Sequence, residues 1–159
     1  MTDSTLKPLK VLVAVEASKS SHKALQQTFR LVNLSQAQLL ILSVEELIAA
    51  PAPSFAPGIL GEDTGFSMQE EAEMLKLEEE RTQTALDWAE QACKQAGVQY
   101  TVRSEFGDPK HLICELAKQE AADLIVVGSE SHGFLERLLT GSVSDFVVNH
   151  AHCSVLVIH

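Results

Sequence analysis

Five short runs of apolar residues recur along this 159-residue chain, and segments with helical periodicity separate them. The runs span residues 10–16, 38–44, 99–106, 123–128 and 154–158, and three periodic segments span 18–33, 70–96 and 142–150. A fourth begins at the predicted cap Asp108-Pro109, and Gly97 is predicted to end the helix over 70–96. Strands that alternate with helices predict a parallel sheet with helices packed on both faces, a doubly wound α/β fold. At this length we expect a single domain over residues 1–159.

The overall charge excludes several classes of partner. The formal net charge is −10, whereas proteins that bind nucleic acid or anionic lipid present a basic face. No apolar stretch is long enough to span a membrane, and the first ten residues lack the apolar core of a signal peptide. The three cysteines, Cys93, Cys114 and Cys153, show no CxxC spacing, so we expect reduced, mostly buried thiols in a cytoplasmic protein.

One segment between the second strand and the long helix has no regular pattern. Three prolines and three glycines fall between residues 45 and 66, and they predict a long flexible loop over 46–69. Loops of this length are either functional or mobile. This segment is interpreted either as an insertion without a role or as a lid over a ligand, and the first interpretation is favoured.

A glycine pattern near the C-terminus indicates a place where phosphates could bind. The fourth strand runs into Gly128, and thirteen residues later Gly141-Ser142 opens a helix. Backbone N–H groups and the positive end of a helix converge at such a turn and favour anions. Ligands of doubly wound sheets lie outside the carboxyl ends of the strands, here at Glu16 and Gly128. Turn chemistry alone also explains both glycines.

Three stretches of the sequence resemble the universal stress protein family. Residues 11–18 are similar to the family's ILVAVDGS strand, and residues 122–129 to its ADLIVVGS strand. Residues 141–144, taken with 150–157, are similar to its GSVS…HAPCPVLVV ending. The resemblance implies an adenine nucleotide alpha hydrolase-like fold with strand order 3-2-1-4-5. It also implies a homodimer paired through the last strand, at about residues 153–158.

The resemblance further implies a site for ATP, with Mg²⁺ bridging the phosphates. One branch of the family binds ATP through Gly-x2-Gly-x9-Gly-Ser/Thr, and a second branch lacks this motif and does not bind it. Here Ser131 replaces the second glycine, and Glu16 replaces the aspartate of the first strand. The implied nucleotide-binding residues are Ala14, Val15, Glu16, Val44, Val127, Gly128, Ser129, Ser131, Gly141, Ser142, Val143 and Ser144.

Two functions of different classes follow from these observations. The favoured one is a cytoplasmic homodimer that senses an adenine nucleotide and regulates a stress response. The alternative is a nucleotide-free dimeric interaction module. The chain has no GxxxxGK[ST], GxSxG or HExxH motif, so we expect no dedicated enzyme and at most slow ATP hydrolysis. The ligands at His150, His152 and Cys153 are too few to predict a structural metal site.

Overall fold

The computed structural model describes residues 7–46, 68–129 and 143–159, apart from the side chain of Glu71. Within these ranges five strands alternate with four α-helices, and a short 3₁₀ turn, Leu34–Gln36, precedes the second strand. In chain order the elements are β1 Leu9–Ala14, α1 Lys19–Leu31, β2 Ala37–Glu45, α2 Met68–Ala96, β3 Gln99–Phe106, α3 Pro109–Gln119, β4 Leu124–Gly128, α4 Val143–His150 and β5 Ser154–Ile158.

The five strands form one parallel sheet in the order β3-β2-β1-β4-β5, which confirms the predicted order. Strand β1 pairs with β2 on one side and with β4 on the other, with Val13 opposite both Ile41 and Val126. The reversal of strand order therefore lies between β1 and β4. A crevice opens at such a point because the connections leaving the two strands run to opposite faces of the sheet.

Both faces of the sheet are buried by helices, as the apolar runs predict. On one face Val11, Val13 and Ile41 pack in a cluster with Leu25 of α1 and Ala89 of α2. On the other face a second cluster places Leu12, Leu42 and Ile125 of the sheet with residues of α3 and α4, among them Ile113, Leu116 and Val147. Successive residues of β1 thus serve opposite cores, since side chains alternate along a strand.

Local capping signals set the helix ends that matter for the site. Asp108 caps α3 through a hydrogen bond from the N–H of Lys110, and Pro109 takes the first helical position, as predicted. Gly97 follows α2 with a φ of +67°, which confirms its predicted role as the residue after the helix. Ser18 caps α1 by accepting from the N–H of Ser21.

Several sequence predictions need correction in detail. Strand β1 ends at Ala14 rather than Glu16, and residues 68 and 69 belong to α2 rather than to the preceding loop. The spacing of Met74, Leu77 and Ala85 predicts an inner face of α2 that includes Leu77, yet Leu77 is 51% exposed. The buried face of α2 begins only at Thr82, because none of its described residues up to Arg81 is buried against the sheet. The rest of the predicted loop, 47–67, lies outside the described residues.

The cysteines are only partly as expected. Cys93 is completely buried, whereas Cys114 and Cys153 are half-buried, and all three are free thiols.

The helices in the described part of the chain do not include one with the length and hydrophobicity that a membrane span requires.

Candidate functional site

A cavity of about 420 Å³ lies at the carboxyl ends of β1, β2 and β4. The turn into α1, the middle of α2 and the start of α3 close its sides. Its volume lies within the range of about 300–1,000 Å³ that is usual for small-molecule sites. The lining residues are Ala14, Val15, Glu16, Ala17, Ser18, Ser20, Ser21, Leu42, Ser43, Val44, Glu46, Glu78, Arg81, Thr82, Pro109, Ile113, Val127, Gly128 and Val143.

The floor of the cavity is apolar. Val15 and Val127 are buried, and Ala14 and Val44 pack half-buried against the second core cluster. Ile113 of α3 belongs to the same cluster and reaches the cavity from the opposite side. Apolar walls formed by strand ends and a facing helix suit a flat aromatic group, which gains free energy by leaving water.

Serine hydroxyls organise the turn from β1 into α1. The backbone N–H of Glu16 donates to the Ser21 hydroxyl at 2.8 Å, and the N–H of Ser18 donates to the carbonyl of Glu16 at 2.8 Å. The N–H of Ser21 donates in turn to the Ser18 hydroxyl at 3.1 Å. These bonds fix the backbone of Glu16, which lines the cavity.

One wall of the cavity is acidic. Glu16, Glu46 and Glu78 all line it, and they come from three different elements or their ends. Burial raises the pKa of Glu46, and the negative charges of Asp108, Glu16 and Glu78 raise it further, while Lys110 opposes them. The guanidinium of Arg81 also lines the cavity, but it is paired with Glu78 at 3.4 Å. The site therefore presents an excess of negative charge.

The structure brings together seven of the twelve residues implied by the sequence. Ser129 and Ser144 are described but do not line the cavity: the N–H of Ser129 donates to the carbonyl of Ile158, and Ser144 is buried. Ser131, Gly141 and Ser142 lie outside the described residues. The seven lining residues are Ala14, Val15, Glu16, Val44, Val127, Gly128 and Val143.

Of the four charged residues that line the cavity, the sequence predicted Glu16 and missed Glu46, Glu78 and Arg81. Glu46 directly follows β2. Because the carboxyl ends of parallel strands lie at the same edge of the sheet, this position in the sequence could have predicted that Glu46 lies near Glu16. Glu78 and Arg81 gave no such signal, since they lie on one side of a long acidic helix that is distant in sequence from the strand ends. Ser18, Ser20 and Ser21 also line the cavity, although their place before an apolar periodic segment predicts no more than helix caps.

No group of three or more histidine, cysteine, aspartate or glutamate residues in the described part of the chain is arranged to hold a metal ion. His150 instead stacks on Phe146 with ring centroids 3.9 Å apart, and its Nδ1 lies 2.8 Å from the carbonyl of Phe146. The geometry of His150 is thus explained by packing within α4.

Comparison with known proteins identifies the family. Residues 9–159 match the family model described as the universal stress protein family. The chain belongs to this family. A similar relative of this universal stress protein is the universal stress protein Sll1388 of Synechocystis, 32% identical over 155 residues that cover 94% of this chain and 96% of the relative.

Solved structures of the family share the fold. Universal stress protein UspA from Lactobacillus plantarum superposes with a TM-score of 0.70 at 24% identity, covering 98% of this chain and all of the other. A universal stress protein family protein from Arabidopsis thaliana, crystallised with AMP bound, superposes with a TM-score of 0.65 at 26% identity, covering 95% of this chain and 91% of the other. This universal stress protein therefore has the adenine nucleotide alpha hydrolase-like fold.

Proposed function

We propose that this single-domain universal stress protein binds an adenine nucleotide in the cavity at the ends of β1, β2 and β4. In this role it acts as a cytoplasmic, homodimeric regulator of a stress response. The observation that carries the proposal is the cavity itself, about 420 Å³ in volume with an apolar floor at the point where strand order reverses. The AMP-bound Arabidopsis relative, 26% identical to this chain, supports the choice of adenine.

The apolar floor suits the base. Ala14 and Val127 offer flat apolar contact, and Val44 stands at the end of β2, where backbone groups can meet the edge of an adenine. Hydrogen bonds from backbone groups do not depend on the chemistry of the side chain at position 44, provided that this side chain leaves room for the base. The serine hydroxyls of the turn into α1 supply donors and acceptors for the sugar.

The phosphates have a less complete site. Gly128 lines the cavity, and the spacing to Gly141-Ser142 is that of the family's motif. Glu16 lines the cavity and would supply a carboxylate oxygen to a divalent cation if one accompanied the phosphates of ATP. Without such a cation the acidic wall opposes a triphosphate, because like charges repel.

Calorimetry tests the proposal directly. Nucleotide-stripped protein is titrated with AMP, ADP and ATP, with and without Mg²⁺, and we expect saturable binding below millimolar concentration. Val44→Phe fills the floor of the cavity and should abolish this binding. The matched control is Val148→Phe, which makes the same change at a valine of α4 that is 53% exposed and does not line the cavity. No binding by any of the three nucleotides would refute the proposal.

The alternative function remains a nucleotide-free dimeric interaction module. It is favoured by the acidic wall and by Ser131, which stands where the family's motif has its second glycine. Ser131→Gly separates the two functions. We expect tighter nucleotide binding if the serine alone weakens the phosphate site, and unchanged absence of binding if the protein is an interaction module.

The dimer is proposed to form along β5. This strand lies at an edge of the sheet, and the N–H of Ser129 donates to the carbonyl of Ile158. Because backbone groups alternate in direction along a strand, the N–H and C=O groups of Val155 and Val157 point away from β4. A second copy of β5 can satisfy them, which protects the edge and closes a two-fold dimer.

A further inference from the structure

We propose that the acidic wall of Glu16, Glu46 and Glu78 makes this cavity selective for adenine ligands of low negative charge, so that adenosine or AMP binds in preference to metal-free ATP. This inference rests on the proposed function, since it presumes that an adenine ligand enters the cavity. It concerns the charge of that ligand, which the fold and the family do not specify.

The side chains that line the cavity carry more negative than positive charge. The described residues that line the cavity carry three carboxylates and a single guanidinium, that of Arg81. Arg81 is already paired with Glu78, and its side chain is 58% exposed, so its attraction for a phosphate is shared and screened. A fourth carboxylate, Asp108, lies next to the lining residue Pro109.

The carboxylates around the cavity interact electrostatically. The charges of Asp108 at the start of α3, of Glu16 in the turn after β1 and of Glu78 in α2 each raise the pKa of Glu46. Lys110 of α3 is the charge that acts in the opposite direction. Groups that disturb one another in this way also repel a further anion placed among them.

Helix N-termini often compensate for missing cations. At α1 the N–H of Ser21 is taken by the Ser18 hydroxyl. At α3 Pro109 has no N–H group, and the N–H of Lys110 is taken by the Asp108 carboxylate. These amides are satisfied within the chain, and the cap of α3 itself carries a negative charge.

The remaining sequence adds no net positive charge. Residues 47–67 contain no lysine or arginine and two acidic residues, Glu62 and Asp63. Residues 130–142 contain Glu130 and Glu136 against the single Arg137. Each phosphate added to the ligand therefore adds repulsion without a matching cation, unless a divalent ion accompanies it.

The test is a series of ligands of increasing charge. Adenosine, AMP and ATP are titrated by calorimetry in EDTA at low salt, and we expect AMP to bind at least about tenfold more tightly than ATP, a difference that Mg²⁺ reduces. Raising the salt concentration should strengthen metal-free ATP binding, because screening relieves repulsion. A cationic phosphate site would show the opposite salt dependence.

Two variants test whether the acidic wall causes the selectivity. Glu46→Gln and Glu78→Gln should each lower the ratio of AMP affinity to ATP affinity by about threefold, since each removes one negative charge. Glu79→Gln makes the same change one residue along α2, at an exposed side chain that does not line the cavity, and should leave the ratio unchanged. An unchanged ratio in both wall variants would overturn the inference.

The outcomes also separate this inference from the proposed function. If ATP binds in EDTA as tightly as AMP, the selectivity is wrong and nucleotide binding stands. If adenosine, AMP and ATP all fail to bind the wild type and both wall variants at millimolar concentration, the proposed function fails and the selectivity fails with it.

Discussion

Gly128 lies so close to Ser20 that a Cβ atom at position 128 would stand 2.8 Å from the Ser20 hydroxyl oxygen and 3.2 Å from its backbone carbonyl carbon. Strand β4 and helix α1 therefore approach each other at their ends with room only for a hydrogen atom. Gly128 does not have a positive φ, so its glycine is required by packing and not by backbone conformation. Part of the family's glycine pattern thus has a structural explanation that is independent of phosphate.

This contact predicts that Gly128→Ala destabilises the fold. We expect a loss of about 1–3 kcal/mol in the free energy of unfolding, the usual cost of an added methyl group in a packed site. Urea unfolding of the single and double variants measures it. Ser20→Gly in the double variant should restore only part of the loss, because the Ser20 backbone carbon remains at 3.2 Å. Equal stability of wild type and Gly128→Ala would contradict the packing explanation.

The raised pKa of Glu46 predicts a pH-dependent stabilisation by Glu46→Gln. A carboxyl whose folded pKa is above its unfolded value of 4.5 costs stability once it ionises, so this cost is absent below pH 4.5 and present at neutral pH. Glu46→Gln should therefore raise the free energy of unfolding at pH 7 by a few tenths of a kcal/mol, since the group is partly solvated. The gain should vanish at pH 4. Thermal unfolding of the wild type, of Glu46→Gln and of the control Glu79→Gln at pH 7 and pH 4 measures this difference.

The three thiols should differ in reactivity. Burial raises the pKa of Cys93 to about 11, and its side chain is fully enclosed, so its thiolate is neither populated nor accessible at pH 8. Burial also raises the pKa of Cys114 and of Cys153, but both are half-buried. We expect Ellman's reagent to modify at most two thiols slowly in the native protein and the third only after denaturation.

A control variant identifies the protected thiol. Cys93→Ala should lower the number of thiols modified in denaturant from three to two and leave the number modified in the native protein unchanged. Comparable reaction rates for all three cysteines in the native protein would show that the core around Cys93 opens readily.

The proposed dimer predicts a specific sensitivity at β5. Val157→Pro removes an N–H group that points away from β4, so the strand keeps its pairing within the sheet and loses a bond to the partner. We expect at least a tenfold weaker dimer by light scattering coupled to size-exclusion chromatography. Val157→Ala is the control, because it removes similar packing and keeps the N–H group. A monomeric wild type at tens of micromolar, or equal dimer affinity in both variants, would refute pairing through this edge.

Much of the fold was predictable because its signals are local. The alternation of strand and helix patterns gave the layers, Asp108-Pro109 and Gly97 marked helix ends, and family-like strand sequences gave the order that the sheet confirms. The apolar floor of the cavity was predictable as well, since Ala14, Val15 and Val127 lie at or beside the ends of β1 and β4, where the strand order reverses.

The charge of the site was not predictable in the same way. Glu78 and Arg81 lie in a helix whose acidic residues look alike in sequence, and only the packing of α2 across the sheet decides which of them reach the cavity. The same holds for the contact between Ser20 and Gly128, which joins residues 108 positions apart. Sequence by itself determined the elements and their order, because propensity, periodicity and caps act over a few residues. Tertiary structure alone decided the electrostatics and close contacts of the site, because Coulomb and van der Waals forces depend on distance in space and not along the chain.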